Sequence, residues 1–409
     1  MIKRVVIFGG HIQALGLARQ VKARGIEVVI VTDDGCSVAR FSRAVNRTII
    51  APIGNWSSII LNRKGTIISE DGNLGDLELP DKGTMMFPTN DEAVEMLCER
   101  YEEYKERFVL GVPEPRVIEL FNNKRRAYRF AEESGVHCPK CWYPDTMEEV
   151  EALSKELDYP VVVKPAVMYS FHAIFGKKAF RCDDAASLKA TYARIAAMNY
   201  PLESLVVQEF LDGGAKNLYS CGVMAVGGEI IVSMQANRIR QNPMDFGNST
   251  TYAISCFVPQ IQEQTEALLK MVGYSGIGEV EWMWDAKSQQ YKFLEINTRA
   301  WKWHTISNQL NFSFIGELIN SFDIGNWKLV NGKLEKNIHA DAGERKVAWC
   351  ERLTDWTVVA KEMLHGRMKI GEVLKSYGIK HESAVWSWRD PLPGIMYILL
   401  SPILYVKRH

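Results

Sequence analysis

The chain has no surplus of either charge. Lysine plus arginine total 49, as do aspartate plus glutamate, so the 409 residues carry a formal net charge of zero. That balance argues against nucleic acid, or any generally anionic surface, as the main partner. Long apolar runs are also missing. The most apolar stretch, in the segment 391–409, is too short to span a bilayer and contains Pro402. It is expected to be a core or dimer segment, with peripheral membrane docking helped by Lys407 and Arg408 as the alternative. The eight cysteines are scattered, and Cys138-Pro139-Lys140-Cys141 has no second pair to complete a zinc site. The opening Met1-Ile2-Lys3-Arg4-Val5 enters a strand with no signal-peptide core, so free thiols in a reducing cytoplasm are expected. No Ser-His-Asp or Cys-His arrangement suggests a covalent nucleophile. Gly9, Gly10 and Gly16 do not have Gly-x-Gly-x-x-Gly spacing, and Asp33 and Asp34 arrive too early to serve as a distant ribose acid. A nicotinamide-dependent oxidoreductase is therefore disfavoured. Those glycines read instead as tight strand–helix packing, with the turn lining a small-molecule cleft at the carboxyl ends of the strands. There are no internal repeats.

The length suffices for two or three domains. The first segment alternates buried strands (5–8, 28–31, 85–87) with helical periodicity over 12–24 and from about 91 to 104, the latter capped by Thr89-Asn90-Asp91-Glu92. This pattern predicts a doubly wound parallel α/β unit. A second segment begins near Pro113-Glu114-Pro115, with a helix over 122–134. A smaller α+β unit follows, with strands at 161–164 and 205–208, then further strands at 218–226 and 229–235 and a helix over 262–272.

The most informative pattern comes next. Gly278-Glu279-Val280-Glu281-Trp282-Met283-Trp284 and Tyr291-Lys292-Phe293-Leu294-Glu295-Ile296-Asn297-Thr298-Arg299 are separated by a turn-prone stretch and predict an antiparallel hairpin. Side chains alternate faces along a strand. One register opposes Glu281 to Glu295 and Glu279 to Asn297 together. Opposed side chains have Cβ atoms roughly 5 Å apart, and like charges there repel. A cation is expected between them, and paired carboxylates with a nucleotide phosphate are the usual surroundings of Mg²⁺. The plainer alternative is a solvated strand face.

Three further stations precede that hairpin. Lys124 opens a helix. Lys164 ends a strand whose other residues are all valine, where a lysine needs an anion. Val206-Val207-Gln208-Glu209-Phe210-Leu211-Asp212-Gly213-Gly214 leaves one unit for another and offers backbone groups to an adenine edge.

Taken in this order, residues 116 to about 311 resemble the ATP-grasp superfamily. Within it they are most similar to the carbamoyl-phosphate-synthase-like carboxylate–amine ligases, the subgroup of D-aspartate ligases. The motifs are Val163-Lys164-Pro165, Lys178-Ala179-Phe180, Arg238-Ile239-Arg240-Gln241-Asn242-Pro243-Met244-Asp245-Phe246-Gly247-Asn248-Ser249-Thr250 and Leu294-Glu295-Ile296-Asn297-Thr298-Arg299-Ala300-Trp301. The resemblance implies an α/β doubly wound N-terminal domain followed by a two-subdomain α+β ATP-grasp fold. Its parts would be a Rossmann-like domain over 1–115, a lid subdomain with its leading helix over 116–210, a metal-binding subdomain over 211–325 and a C-terminal extension over 326–409.

It also implies roles. Lys124 and Lys164 would contact ATP phosphates, with Lys178 in the same nucleotide set. Gln208, Glu209, Phe210 and Leu211 would form the adenine hinge, Glu209 taking the amino group. Asn217 would stand in for the ribose acid. Arg238 would bind the triphosphate, Arg299 would steady an acyl phosphate, and Arg240 would take the substrate carboxylate in a bidentate fork. Glu281, Glu295 and Asn297 would hold one or two Mg²⁺, with Mn²⁺ as a substitute. His304 is offered either as acceptor of the amine proton or as a packing partner of the tryptophans. The lid loop, Ala166 to Lys178, is bulky and aromatic where many relatives carry a Gly/Ser-rich flap. The expected activity is ADP-forming ligation of a small carboxylate to an amine, with a homodimer as an open assembly. The alternatives are a nucleotide-binding pseudoenzyme without turnover and the NAD-dependent oxidoreductase.

Overall fold

The computed structural model describes residues 1–61, 83–167, 171, 174–244, 247, 249–322, 329–330, 333–334 and 346–408. Residues 168–170, 172 and 173 of the lid loop, and Asp245, Phe246 and Asn248 of the Arg238–Thr250 motif, lie outside the described residues.

The N-terminal sheet contains β1 (Arg4–Phe8), β2 (Glu27–Thr32), β3 (Arg47–Ile50), β4 (Thr84–Pro88) and β5 (Val109–Leu110). All neighbours are parallel, in the order β3-β2-β1-β4-β5. The strands are apolar on both faces because both faces are covered. Val5, Ile7, Val28 and Ile30 pack with Leu15, Ala18 and Val21 of the helix Ile12–Lys22. Val6, Phe8, Val29 and Val31 pack with Trp56, Val94, Leu97 and Tyr104 on the other side. The expected cap after β4 is Asn90, whose side chain accepts from Ala93 N at 3.2 Å. The helix it starts, Asp91–Glu99, breaks at Arg100 and resumes as Tyr101–Arg107.

A smaller antiparallel sheet follows, with β6 (Cys141–Trp142), β7 (Val161–Pro165), β8 (Phe180–Cys182) and β9 (Leu205–Glu209) in the order β6-β9-β7-β8. The helix expected over 122–134 is Lys124–Glu133, and a separate helix, Pro115–Asn122, precedes it. Asn123 between them is extended and caps the second through Arg126 N. This break puts Lys124 at a helix start, where its backbone N–H donates to Ala166 O at 2.8 Å. The helix and the loop after β7 are thereby tied together.

The largest sheet begins with β14 (Gln290–Asn297), β13 (Gly276–Asp285), β10 (Leu218–Val226), β11 (Glu229–Asn242) and β12 (Ser249–Cys256), in that spatial order. It does not stop there. Ala348–Cys350 pairs antiparallel with β12, and His381–Ser383 pairs parallel with Ala348–Cys350. The tail expected to be less regular thus adds two strands to the sheet.

A buried ion pair fastens this addition. Arg240 on β11 donates from Nε to Asp355 Oδ1 at 2.9 Å and from a terminal nitrogen to Oδ2 at 2.7 Å. Thr251 and Tyr377 hydroxyls donate to the same carboxylate at 2.7 and 2.6 Å. The guanidinium lies over the Tyr252 and Tyr377 rings, 4.1 and 5.3 Å from their centroids. Asp390 fastens the tail to the N-terminal unit, accepting from Arg19 Nε at 2.9 Å and Ser42 Oγ at 2.6 Å. Removing one partner of a buried, hydrogen-bonded pair strands the other charge, at about 3–5 kcal/mol. Asp355→Ala is therefore expected to lower unfolding stability by that amount in a urea titration. A loss below about 1 kcal/mol would place this pair among exposed ones and contradict its fastening role.

Candidate active site

The hairpin β13/β14 takes the anticipated register, with Glu279 opposite Asn297 and Glu281 opposite Glu295, and a bulge just after Glu281. The two carboxylates do not face each other alone. Lys124 Nζ lies 3.1 Å from Glu295 Oε2. Arg238, two strands away on β11, reaches Glu281 Oε1 at 2.5 Å. Pairing explains that reach. Ala236 is opposite Ser220, and Ser220 is opposite Glu281, so Arg238 shares the acids' face two residues further on. The intervening position on β10 is Ser220, small enough to leave a path across the strand.

The acids differ electrostatically. Lys124 beside Glu295 holds that carboxyl down at about 2 despite its burial, so it stays ionised at any working pH. Burial, reinforced by the Glu281 charge, pushes Glu279 up to about 7. Glu279 accepts from Trp303 Nε1 at 2.8 Å and from Asn297 Nδ2 at 3.2 Å. The same Asn297 nitrogen donates to Glu281 Oε1 at 3.1 Å. Asn297 Oδ1 then faces Arg299, which donates to it at 3.4 Å. Arg299 itself is forked onto Asp91, at 2.6 Å from Nε and 3.3 Å from a terminal nitrogen. Asp91 opens the helix after β4, so the N-terminal unit holds this arginine.

Lys164 is half-buried, and desolvation followed by the charge of Lys124 lowers its ammonium to about 8. Its Nζ donates to the Tyr128 hydroxyl at 2.7 Å, which lies 2.8 Å from Leu294 O and 3.1 Å from Gln208 Oε1. Sequence reasoning missed Tyr128. The signal was present: it stands four residues after Lys124 on one helix, hence on the same face. Burial also lowers Lys178, whose electrostatic neighbours are Glu295, Glu281, Arg238 and Lys124. Lys124, Lys164, Lys178, Arg238, Glu281, Glu295, Asn297 and Arg299 therefore converge.

Other expected residues are placed differently. Arg240 does not line the cleft; it is buried, and its fork is filled by Asp355. A substrate carboxylate has no route to it. The Glu209 carboxylate accepts from Lys140 N at 3.0 Å through Oε1 and pairs with the Lys292 ammonium through the same oxygen. Gln208 is buried, with its amide shared between Tyr128 and Glu209 O. Phe210 lies under the Arg181 guanidinium, 4.3 Å away, and Leu211 is buried. Asn217 donates to Asp212 O at 3.1 Å and closes its own turn. Gly213 in that turn has φ +107°, and a Cβ there would lie 1.9 Å from Asn217 Nδ2. His304 is buried against the first helix, with Nε2 3.2 Å from Gln13 O, and burial lowers it to about 4. It packs and does not reach the acids' face. Gly16 admits it: a Cβ there would lie 2.8 Å from His304 Nε2.

The donor set suits a hard divalent cation: two opposed carboxylates and an amide oxygen, with cationic groups already drawn to the acids. Among the described residues no cluster of three His, Cys, Asp or Glu side chains forms an all-protein metal cage. A divalent cation held here would be completed by phosphate oxygens and water, as Mg²⁺ usually is.

Comparison with known proteins bears on the same stretch. Residues 123–311 match the family model for the carbamoyl-phosphate synthase L chain, ATP binding domain. The chain is 22% identical over 313 residues to D-aspartate ligase of Enterococcus faecium, covering 72% of this chain and 70% of that one. It is 22% identical over 197 residues to the carbamoyl phosphate synthase large chain of Gemmatimonas aurantiaca, covering 47% of this chain and 17% of that protein. Among solved structures, the biotin carboxylase domain of Hydrogenobacter thermophilus 2-oxoglutarate carboxylase, a dimer in complex with MgADP, ADP and bicarbonate, superposes with TM-score 0.60 at 18% identity, over 78% of this chain and 69% of that one. N5-carboxyaminoimidazole synthetase from Staphylococcus aureus superposes with TM-score 0.55 at 13% identity, over 75% and 73%.

Lys164 generates a pH prediction. A lysine serves an anionic ligand only while protonated, and this one deprotonates near 8. Its charge is present below that value and lost above it. ADP affinity measured by calorimetry is expected to fall by several-fold between about pH 7 and about pH 9, and Lys164→Arg should flatten that slope because arginine stays charged. A flat profile in the unaltered protein would contradict a phosphate contact for Lys164.

Proposed function

Residues 123–311 carry an ATP-grasp domain of the carbamoyl-phosphate-synthase type, and from that premise we propose that the protein is an ATP- and Mg²⁺-dependent carboxylate–amine ligase. A small carboxylate attacks the γ-phosphate of ATP to give an acyl phosphate and ADP. An amine then displaces phosphate to give an amide. The relationship to D-aspartate ligase favours this class. The observation that carries the reading is the opposed pair Glu281 and Glu295, each neutralised by a cation from a different element.

The residues have these roles in the proposal. Lys124, Lys164, Lys178 and Arg238 hold the phosphates. Residues 208–211 meet the adenine, Glu209 through its backbone. Glu281, Glu295 and Asn297 hold one Mg²⁺ or two, and Mn²⁺ substitutes. When bound, the metal spreads the charge of the phosphates and aligns them for in-line transfer. Arg299, steadied by Asp91, faces the acyl phosphate. Asn217 lies beside the ribose. The unit over 1–115 contributes the carboxyl ends of its strands to the substrate cleft, 116–210 is the lid, 211–325 bears the acids, and 326–409 braces the sheet. Closure keeps water from the acyl phosphate.

Ligand entry is an exchange of partners. Without nucleotide, Lys124 and Arg238 satisfy Glu295 and Glu281. Phosphate alone would draw the cations off and leave two acids to repel. A metal ion alone would leave two cations facing it. Both arriving together satisfy all four groups, so the two ligands bind cooperatively.

Glu295→Gln tests this. Magnesium-dependent ADP formation with carboxylate and amine mixtures should be lost, by about a hundredfold or more, while metal-free ADP binds more tightly because Lys124 is released. Full turnover in that variant would remove the metal assignment. An unaltered protein that binds MgATP yet forms no ADP with any substrate mixture would be the nucleotide-binding pseudoenzyme instead.

A further inference from the structure

The tail that braces the sheet ends in a helix whose outer face is unexplained by any chemistry above. Leu392–Arg408 contains no charged residue from Leu392 to Val406. Its inner face is anchored. Pro393 and Gly394 are buried, Gly394 lies against the Trp386 ring, and the Tyr397 hydroxyl meets Glu351 and Thr354. Its outer face exposes Leu392, Ile395, Ile398, Leu399 and Ile403, the last two four residues apart on one stripe. Ile398 and Leu399 are 57% and 64% exposed, and Trp388, just before the helix, is 86% exposed. Exposed Arg389 precedes the stripe, and Lys407 and Arg408 follow it in sequence.

Two occupants fit an apolar face: a second copy of the chain, or lipid. A two-fold pair of such helices, whether parallel or antiparallel, would set the basic residues that flank the stripe in sequence, Arg389 before it and Lys407 and Arg408 after it, against those of the second copy. Like charges would meet at both ends of that interface. An anionic bilayer reverses the sign of both contacts. The apolar stripe enters the acyl boundary, an aromatic ring takes the headgroup level, and a segment flanked in sequence by basic residues is drawn to the anionic surface. Among the described residues no helix is long and apolar enough to cross a membrane, and Pro402 interrupts this one, so the helix lies in the plane.

We propose that the helix Leu392–Arg408, with Trp388, docks the protein in the plane of an anionic lipid bilayer. The proposal rests on the exposed stripe and its flanking charges, and stands apart from the ligase reading.

Vesicle flotation of the full chain tests it, using phosphatidylcholine alone and phosphatidylcholine with phosphatidylglycerol. The protein is expected to float with the anionic vesicles and much less with the neutral ones. Ile398→Glu with Leu399→Glu, both on the exposed face, should keep the thermal unfolding midpoint and lower the bound fraction about tenfold. Lys407→Glu with Arg408→Glu should weaken binding by about fivefold for each positive charge removed. The proposal is overturned if neither vesicle carries the protein, or if the Ile398/Leu399 variant floats as well as the parent. It is equally overturned if the parent sediments as a dimer that this variant splits, because the face would then belong to a second copy. None of these readouts depends on ADP formation, so failure here leaves the ligase reading intact.

Discussion

Two carboxylates opposed across a hairpin are a liability that the protein must neutralise, and the way it does so organises the site. Strand register fixes Glu281 and Glu295 on one face, opposite each other, and neither can change face without breaking the ladder. Each is matched by a cation carried on another element: Lys124 from the helix after Asn123, and Arg238 from across the sheet. The resting site is therefore an internal salt, poised to exchange with another salt of the same charge pattern. A nucleotide phosphate with a divalent cation is such a salt.

The rest of the fold supplies that placement. The N-terminal parallel sheet presents Asp91 to Arg299. The helix Ile12–Lys22 lies in one continuous core with Trp301, Trp303 and Phe314, which ties the N-terminal unit to the acid-bearing sheet. Burial acts on the two sets of groups differently. It lowers Lys164 and raises Glu279, weakening their charged forms, while Glu295 keeps its charge because Lys124 outweighs desolvation. Glu279, hydrogen-bonded by Trp303 and Asn297, lies on the same strand face as Glu281.

Local periodicity made much of this legible. The hairpin register follows from strand alternation alone, and the lysine after three valines announces a half-buried cation. What sequence could not show were partners far along the chain. Arg240 sits in a motif with Arg238, and alternation places both on one sheet face, yet its fork is filled by Asp355, which lies 115 residues later in a tail that reads as irregular. The tail's strands are three residues each and gain their pairing from β12 and from one another, so their local pattern is weak. His304 follows a motif that bears on phosphate chemistry, but the 3₁₀ turn it opens carries it under the first helix, where Gly16 makes room. Glu209 reads as a free hinge acid because Lys292, which neutralises it, belongs to a different sheet.

The cooperative exchange is the central claim, and calorimetry of ADP binding with and without magnesium tests it most directly. The account predicts that Mg²⁺ tightens ADP binding by about tenfold or more, and that ADP tightens divalent-cation binding by the same factor, as linkage requires. Equal ADP affinity in excess chelator and in excess magnesium would contradict it.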